Sequence, residues 1–457
     1  MPRHFMIVVS TISATAILAT GGALPSSAGA TGNVDPELSV TAGMRGTADW
    51  YTPDQGFLSG PSTRAGVPTS AAHRRVAEKL PKRSKSKAIG RHFAVDVVDI
   101  ESGDRLWSRR KNKRLRPASN IKIVTAVTAL QTMGPDKQFT TRVVALGRGK
   151  VALIGGGDPT LGGDGLSNLA EQTADAINSR PDLQPNSKLK VYVDDSYYAK
   201  PRRPSGYRSG YEPGIVRPIR ALGMDGSYVS DSAKTAAQYF RSELRKQGIV
   251  GKYKGRVSAA DAEEIATYSG ARLGDQVRYM LQVSENNIAE MLYRNVAVEL
   301  GYRATWGKSK KAATQVLAEM GVPTKSINVS SGSGVRRTDR LTAVALTTIL
   351  QRAADKENYP NLEPIYYGDG LPLAGVSGTL SARAGRFTTR PTNCAAGRLR
   401  AKTGTLFDTI SLSGIATGRD GKLKAFAVLV NSRPQRVSPL QTRRKVDRIP
   451  ATITGCY

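Results

Sequence analysis

Two alternating apolar runs, LFDTISLSGIAT (406–417) and KLKAFAVLVN (422–431), flank the turn Gly418-Arg419-Asp420-Gly421. Period-two alternation on both sides of a Gly/Asp turn predicts an antiparallel hairpin, the strongest such signal in the chain. An earlier run, HFAVDVVDIES (92–102), alternates in the same way, and after Gly103-Asp104 the segment RLWSRR starts a second strand. Pro117-Ala118-Ser119 then opens an apolar helix, NIKIVTAVTALQTMG, which Gly134-Pro135 stops. Residues 138–258 mix short strands (TTRVVAL, KVALIG, KLKVYVDD) with helices, and 259–300 read as mostly helical with a polar break at 284–287. The expectation is a mixed α and β chain, with helices between an early hairpin and a late one.

The N-terminus has the pattern of a secretory signal, residues 1–30. Arg3 supplies the positive charge, Phe5 to Leu24 is apolar or small, and Ala28-Gly29-Ala30 fits a cleavage site. An uncleaved anchor helix is the alternative. Residues 31–89, rich in Pro, Gly, Ser and Arg, are expected to be a leader or linker. The chain is therefore expected to be exported, to the cell wall or the outer face of the cytoplasmic membrane. The final run, VDRIPATITGCY, reads as lacking an amphipathic anchor helix.

Composition narrows the chemistry. The three histidines are His4, His73 and His92, and the first two fall in the expected signal and leader. One remaining histidine cannot build a His-rich metal site and lacks the surroundings of a Ser–His–Asp triad. Cys394 and Cys456, the only cysteines, exclude a four-ligand zinc site and are expected to pair as one disulfide in an oxidising compartment. A hydrolase of this composition needs a lysine or a carboxylate as its base. The net charge of +30 is spread through the expected folded part, apart from one dense run, Arg109–Arg116 (RRKNKRLR). Such charge favours anionic wall polymers or lipid head groups as electrostatic partners, and nucleic acid is not expected.

Three short motifs carry chemistry. A serine followed three residues on by lysine occurs at Ser84, Ser119 and Ser187, but only Ser119 opens an apolar helix. There the i, i+3 spacing puts the Lys122 amine on the same face as the Ser119 hydroxyl, and the helix N-terminus offers N–H groups to a developing anion. Taken alone, a serine in this place is more commonly a plain helix cap. The second motif is Ser284-Glu285-Asn286, at the break between two helical segments; the third is Lys402-Thr403-Gly404-Thr405, entering the strongest strand.

In this order the three resemble the Ser-x-x-Lys, Ser-x-Asn, Lys-Thr-Gly set of penicillin-binding proteins and serine β-lactamases. The stretches GGGDPTL (155–161), VDDSYY (193–198 within its strand), SENNIAEMLYR (284–294), SGSGVRRTDRLTA (331–343) and AKTGTLFDTISLSG (401–414) resemble more narrowly the class C low-molecular-mass penicillin-binding proteins, the D-alanyl-D-alanine carboxypeptidase/endopeptidase family. The resemblance covers roughly residues 90 to 435. It implies an α+β, β-lactamase/transpeptidase-like sandwich, an antiparallel sheet with helices on both faces. The catalytic domain would comprise 90–137 and 259–457, with an inserted α/β domain at 138–258, because Ser119 and Ser284 lie too far apart for a minimal domain. The glycines of GGGDP read only as a strand-to-helix turn, since no Gly-Lys-Ser/Thr ending follows.

The resemblance also implies roles. Ser119 would attack the carbonyl of the penultimate D-Ala, Lys122 would take its proton, and Ser284 would relay a proton to the leaving amine. Asn286 would bond the substrate's peptide chain, and Lys402, Thr403 and Thr405 would receive the terminal carboxylate. The oxyanion hole would be the N–H groups of Ser119 and Thr405, burial together with Lys402 as a second cation would lower the Lys122 pKa, and Gly404 would spare a substrate lying along the strand. Neither metal nor organic cofactor is required. The partners would be peptidoglycan stem peptides ending in D-Ala-D-Ala and, as covalent inhibitors, β-lactams. Two other readings stay open: an inactive basic wall-binding protein on the same scaffold, and a β-lactamase.

Overall fold

The computed structural model describes residues 69–207 and 210–457. The expected signal and most of the expected leader lie outside the described residues. In chain order the helices are α1 (Thr69–Ser84), α2 (Ile121–Met133), α3 (Gly163–Ser179), α4 (Ser232–Lys246), α5 (Leu273–Val283), α6 (Asn286–Glu299), α7 (Trp306–Glu319), α8 (Ala343–Ala353), the short α9 (Glu363–Tyr366) and α10 (Pro439–Ile453). The strands are β1 (Phe93–Asp99), β2 (Arg105–Arg109), β3 (Thr140–Ala145), β4 (Lys150–Gly155), β5 (Leu189–Asp194), β6 (Gly251–Arg256), β7 (Glu264–Ser269), β8 (Leu399–Leu406), β9 (Thr409–Thr417) and β10 (Leu423–Asn431).

The expected hairpin is β9–β10, in register from Leu423↔Thr417 to Asn431↔Thr409. It lies within an antiparallel sheet of order β2-β1-β10-β9-β8, so an early strand and a late one pair in the middle of one sheet. Alternation along β10 divides its side chains between two cores. Phe426, Val428 and Val430 pack with Val76 and Leu80 of α1 and with Val446, Ile449 and Ile453 of α10. Ala425, Ala427 and Leu429 face the other way, onto the core built by α2, α5, α6, α7 and α8. A sheet covered on both faces tolerates no polar side, which is why β10 reads as an almost unbroken apolar run. This is the expected α+β sandwich.

The leader expectation fails over residues 69–89. Ala72, Val76 and Leu80 recur at i, i+4, i+8, and this stripe is buried against the sheet. The basic residues between them masked the stripe. His73, expected outside the fold, sits on this helix and bonds Asp99 Oδ2 at 3.1 Å. The C-terminal segment is likewise helical, but α10 spends its apolar face on the sheet. Cys394 and Cys456 are bonded, tying the residues just beyond α10 to the turn preceding β8. Among the described residues, no helix is long and apolar enough to cross a membrane.

The inserted part forms a second sheet of order β6-β5-β4-β3-β7, parallel at β4–β5 and β5–β6 and antiparallel elsewhere. The apolar faces of α3 and α4 pack on it through Leu166, Leu169, Phe240 and Leu244. The boundary expected at 258 is too early. Glu264–Ser269, read as helical, is β7, and it pairs with β3 from Thr140↔Ser269 onward. Its six residues form an exposed edge with little apolar alternation, so only the partner strand reveals it. The glycine run does end β4 before α3, and a Cβ on Gly156 would lie 2.1 Å from the Thr140 carbonyl oxygen.

Candidate active site

Ser119 lies in a single 3-10 turn, Ala118–Asn120, that leads directly into α2. The turn is strained: Ala118 has φ 48°, a region that costs a non-glycine residue about 1–3 kcal/mol. It is held by its neighbours in the sheet. Ser411 Oγ donates to the Pro117 carbonyl at 2.6 Å, and Asn120 Nδ2 donates to Ser413 Oγ at 2.8 Å. Gly404 of β8 lies against the same turn, where a Cβ would sit 2.1 Å from Ser411 Oγ and 2.8 Å from Pro117 O. The glycine therefore admits the turn that carries Ser119.

Lys122 is fully buried one turn into α2. Its Nζ donates to Ser119 Oγ at 3.2 Å, to Asn286 Oδ1 at 2.7 Å and to the Ser333 carbonyl at 3.1 Å. Burial holds its pKa down to about 8, against the upward pull of the Glu285 and Glu290 carboxylates. Of the two expected causes, burial and a second cation from Lys402, burial is the one that lowers it here.

The second motif is set by another strained residue. Ser284 closes α5 in the left-handed region, φ 63°, and Glu285 caps α6 by accepting from the Ile288 N–H. Among the described residues Ser284 makes no hydrogen bond to Lys122; Asn286 fills that position. The Asn286 amide also donates to the Ile215 carbonyl at 2.9 Å, so both ends of its side chain are engaged within the protein. The residues on either side are held by the same inserted segment: Tyr228 OH donates to Glu285 Oε1 at 2.7 Å, and the Arg217 N–H donates to Asn287 Oδ1 at 2.9 Å.

A third wall was only glimpsed in the sequence. The loop Ser330–Gly334 carries the carbonyl that receives Lys122, and two buried acids pin it. Glu290 accepts from the Gly332 N–H at 2.9 Å and the Ser333 N–H at 3.0 Å. Asp339 accepts from Ser330 and Ser331, and burial lifts its pKa to about 6 despite those bonds. Gly334, at φ 84°, passes so close to the turn that a Cβ would lie 1.9 Å from Ala118 O. Glu290 lies inside the SENNIAEMLYR stretch, yet nothing in its spacing distinguishes it from a surface helix acid.

Along β8 side chains alternate. Gly404 faces the nucleophile turn, and Lys402, two residues earlier, shares that face with its Nζ donating to the Thr403 carbonyl at 3.2 Å. Thr403 and Thr405 face the opposite way. Thr403 Oγ1 donates to Thr379 Oγ1 at 2.9 Å, and Thr405 Oγ1 accepts from Arg443 Nη2 at 3.2 Å. The structure thus joins Ser119, Lys122 and Asn286 by direct hydrogen bonds and brings Gly404 against them, with Thr403 and Thr405 flanking.

Elsewhere, His73, Asp99 and Asp420 bring three potential ligand atoms within 4.8 Å of one another. The buried Lys424 ammonium answers their charge, at 3.0 Å from Asp99 Oδ2 and 2.6 Å from Asp420 Oδ2. A cavity of about 310 Å³ opens beside Tyr197, Gln138 and Asp194. Two of its polar groups are spent internally, Gln138 on the Gly270 carbonyl and Asp194 on the N–H groups of Ser196 and Ala259.

The D-Ala-D-Ala carboxypeptidase 3 (S13) family matches residues 76–231 and 225–453. Carboxypeptidase DacB of Mycolicibacterium smegmatis is 30% identical over 430 residues, covering 87% of this chain and 86% of the relative. Carboxypeptidase Rv3627c of Mycobacterium tuberculosis is 33% identical over 361 residues, covering 74% and 76% respectively. Among solved structures, penicillin binding protein 4 (dacB) from Haemophilus influenzae has a TM-score of 0.69 at 19% identity, over 82% of this chain and 98% of the other; this likeness is one of fold.

Proposed function

We propose that this chain, which belongs to the D-Ala-D-Ala carboxypeptidase 3 (S13) family, hydrolyses peptidoglycan stem peptides ending in D-Ala-D-Ala through an acyl-enzyme on Ser119. It is a serine-type carboxypeptidase and a penicillin-binding protein by kinship. One observation supports the assignment of residues above the others: Lys122 is buried, poised near neutrality and hydrogen-bonded to Ser119.

Ser119 Oγ attacks the penultimate D-Ala carbonyl while its proton passes to neutral Lys122. The oxyanion is received by the N–H groups of Ser119 and Thr405. Collapse breaks the C–N bond, and the proton taken by Lys122 passes to the departing D-Ala amine by way of the Ser284 hydroxyl, which has to turn toward the ammonium to carry it, and Lys122 is neutral again. Water then hydrolyses the ester and regenerates Ser119. Thr403 and Thr405 receive the terminal carboxylate, with Lys402 buried behind them. The same D-Ala carbonyl occurs in peptide cross-links, so the DD-endopeptidase reaction is within reach of the same residues. No step calls for a metal or an organic cofactor. The signal-like start and the spread of positive charge support export and work among anionic wall polymers.

Peptide mapping after incubation with fluorescent penicillin tests this reading. The adduct is expected on the peptide that contains Ser119. Absence of any adduct would sink the acyl-enzyme, and rapid release of hydrolysed antibiotic would favour the β-lactamase. The rate of acylation should also follow Lys122. A base must be neutral to act, so lowering the pH below about 8 protonates it, and the rate should fall about tenfold per unit there and level off above. Stopped-flow acylation between about pH 6 and 9 measures this; a flat profile contradicts it.

A further inference from the structure

The face alternation of β8 leaves a question about charge. A terminal carboxylate seated on Thr403 and Thr405 lies on the opposite face of the strand from Lys402, whose side chain is fully buried. The cation on the threonine face comes from a different element. Arg443, on the second turn of α10, donates Nη2 to Thr405 Oγ1 at 3.2 Å. We infer that Arg443 is the positioning and charge-reading residue for the substrate carboxylate, acting through the Thr405 hydroxyl; the inference rests on the carboxypeptidase reading above.

Three features support this. A threonine hydroxyl has one hydrogen and two lone pairs. By filling one lone pair, Arg443 turns the Thr405 hydrogen away from itself, free to donate to an anion. The guanidinium also adds a permanent positive charge within one side chain of that anion, and a charge-assisted hydrogen bond is stronger than a neutral one. Finally, its mounting is rigid. Ser438 and Gln441 close a capping box at the start of α10, and the buried Thr442 hydroxyl, next to Arg443, donates to the Ala88 carbonyl at 3.1 Å. The leader-derived segment that carries Ala88 therefore helps to fix the angle from which Arg443 approaches the strand.

The test compares a peptide ending in D-Ala-D-Ala with its C-terminal methyl ester, which removes the carboxylate charge and leaves the scissile bond. The readout is the ratio of kcat/KM, acid over ester, for the wild type, Arg443→Gln and Arg443→Lys. Glutamine keeps a donor for Thr405 but no charge; lysine keeps the charge. Arg443→Gln is expected to lower the ratio about tenfold or more, chiefly through KM of the acid, and Arg443→Lys to restore most of it. An unchanged ratio in Arg443→Gln overturns the inference. So does a parallel loss on both substrates in both variants, which assigns Arg443 to holding β8 in place. A wild type that forms no penicillin adduct on Ser119 overturns instead the functional reading, and this inference with it.

Discussion

Ser119→Ala is expected to take up no covalent penicillin and to lose D-Ala-D-Ala hydrolysis by about 10⁴-fold or more, while folding normally. The loss follows from the covalent step. Among the described residues no other hydroxyl bonds the Lys122 ammonium: besides Ser119, it donates to the Asn286 amide oxygen and the Ser333 carbonyl. Stability should change little, because those two acceptors remain for Nζ when Oγ is removed. Alanine also fits the turn, whose strain lies at Ala118 and not at Ser119. Gel fluorescence after penicillin labelling and a thermal melt check both halves. Residual labelling at wild-type intensity would place the nucleophile elsewhere.

Glu290→Ala is expected to damage stability and chemistry together. Glu290 is completely buried, and its two oxygens accept from the Gly332 N–H, from the N–H and hydroxyl of Ser333, and from Tyr207 OH at 3.0 Å. Removing the carboxylate strands these buried donors, and leaving such a group unsatisfied costs about 1–3 kcal/mol. The loop it releases supplies the Ser333 carbonyl to Lys122 and packs Gly334 on the Ala118 carbonyl, so acylation should slow as well. Glu290→Gln keeps the shape and one good acceptor, and should fall between wild type and alanine. Chemical denaturation and stopped-flow acylation measure the two effects. A variant with wild-type stability would mean that the loop holds itself without Glu290.

Much of the site was legible because its chemistry is local. Ser119 and Lys122 are one helical turn apart, so an i, i+3 spacing on an apolar helix already puts amine beside hydroxyl. The β9–β10 hairpin was equally plain, since alternation and turn residues are both short-range signals. What escaped depended on partners distant in the chain. Glu290 and Asp339 look like any helix or loop acid until burial places the Ser330–Gly334 loop between them. Strand β7 is a strand because β3 lies beside it, and α1 is part of the fold because the sheet covers its Ala72-Val76-Leu80 stripe.

By itself, then, the sequence determined the antiparallel hairpin, the cysteine pair and the placing of Ser119 and Lys122 one turn apart on an apolar helix, all consequences of spacing, periodicity or composition. The tertiary structure decided the environment in which these residues sit. It buried Lys122 deeply enough to hold its pKa near 8, and it put Asn286 where Ser284 was expected to meet the ammonium. It also gave Gly404 to the nucleophile's turn and brought Arg443 from α10 to the threonine face of β8. Desolvation and close approach depend on which surfaces meet, and only the folded chain specifies that.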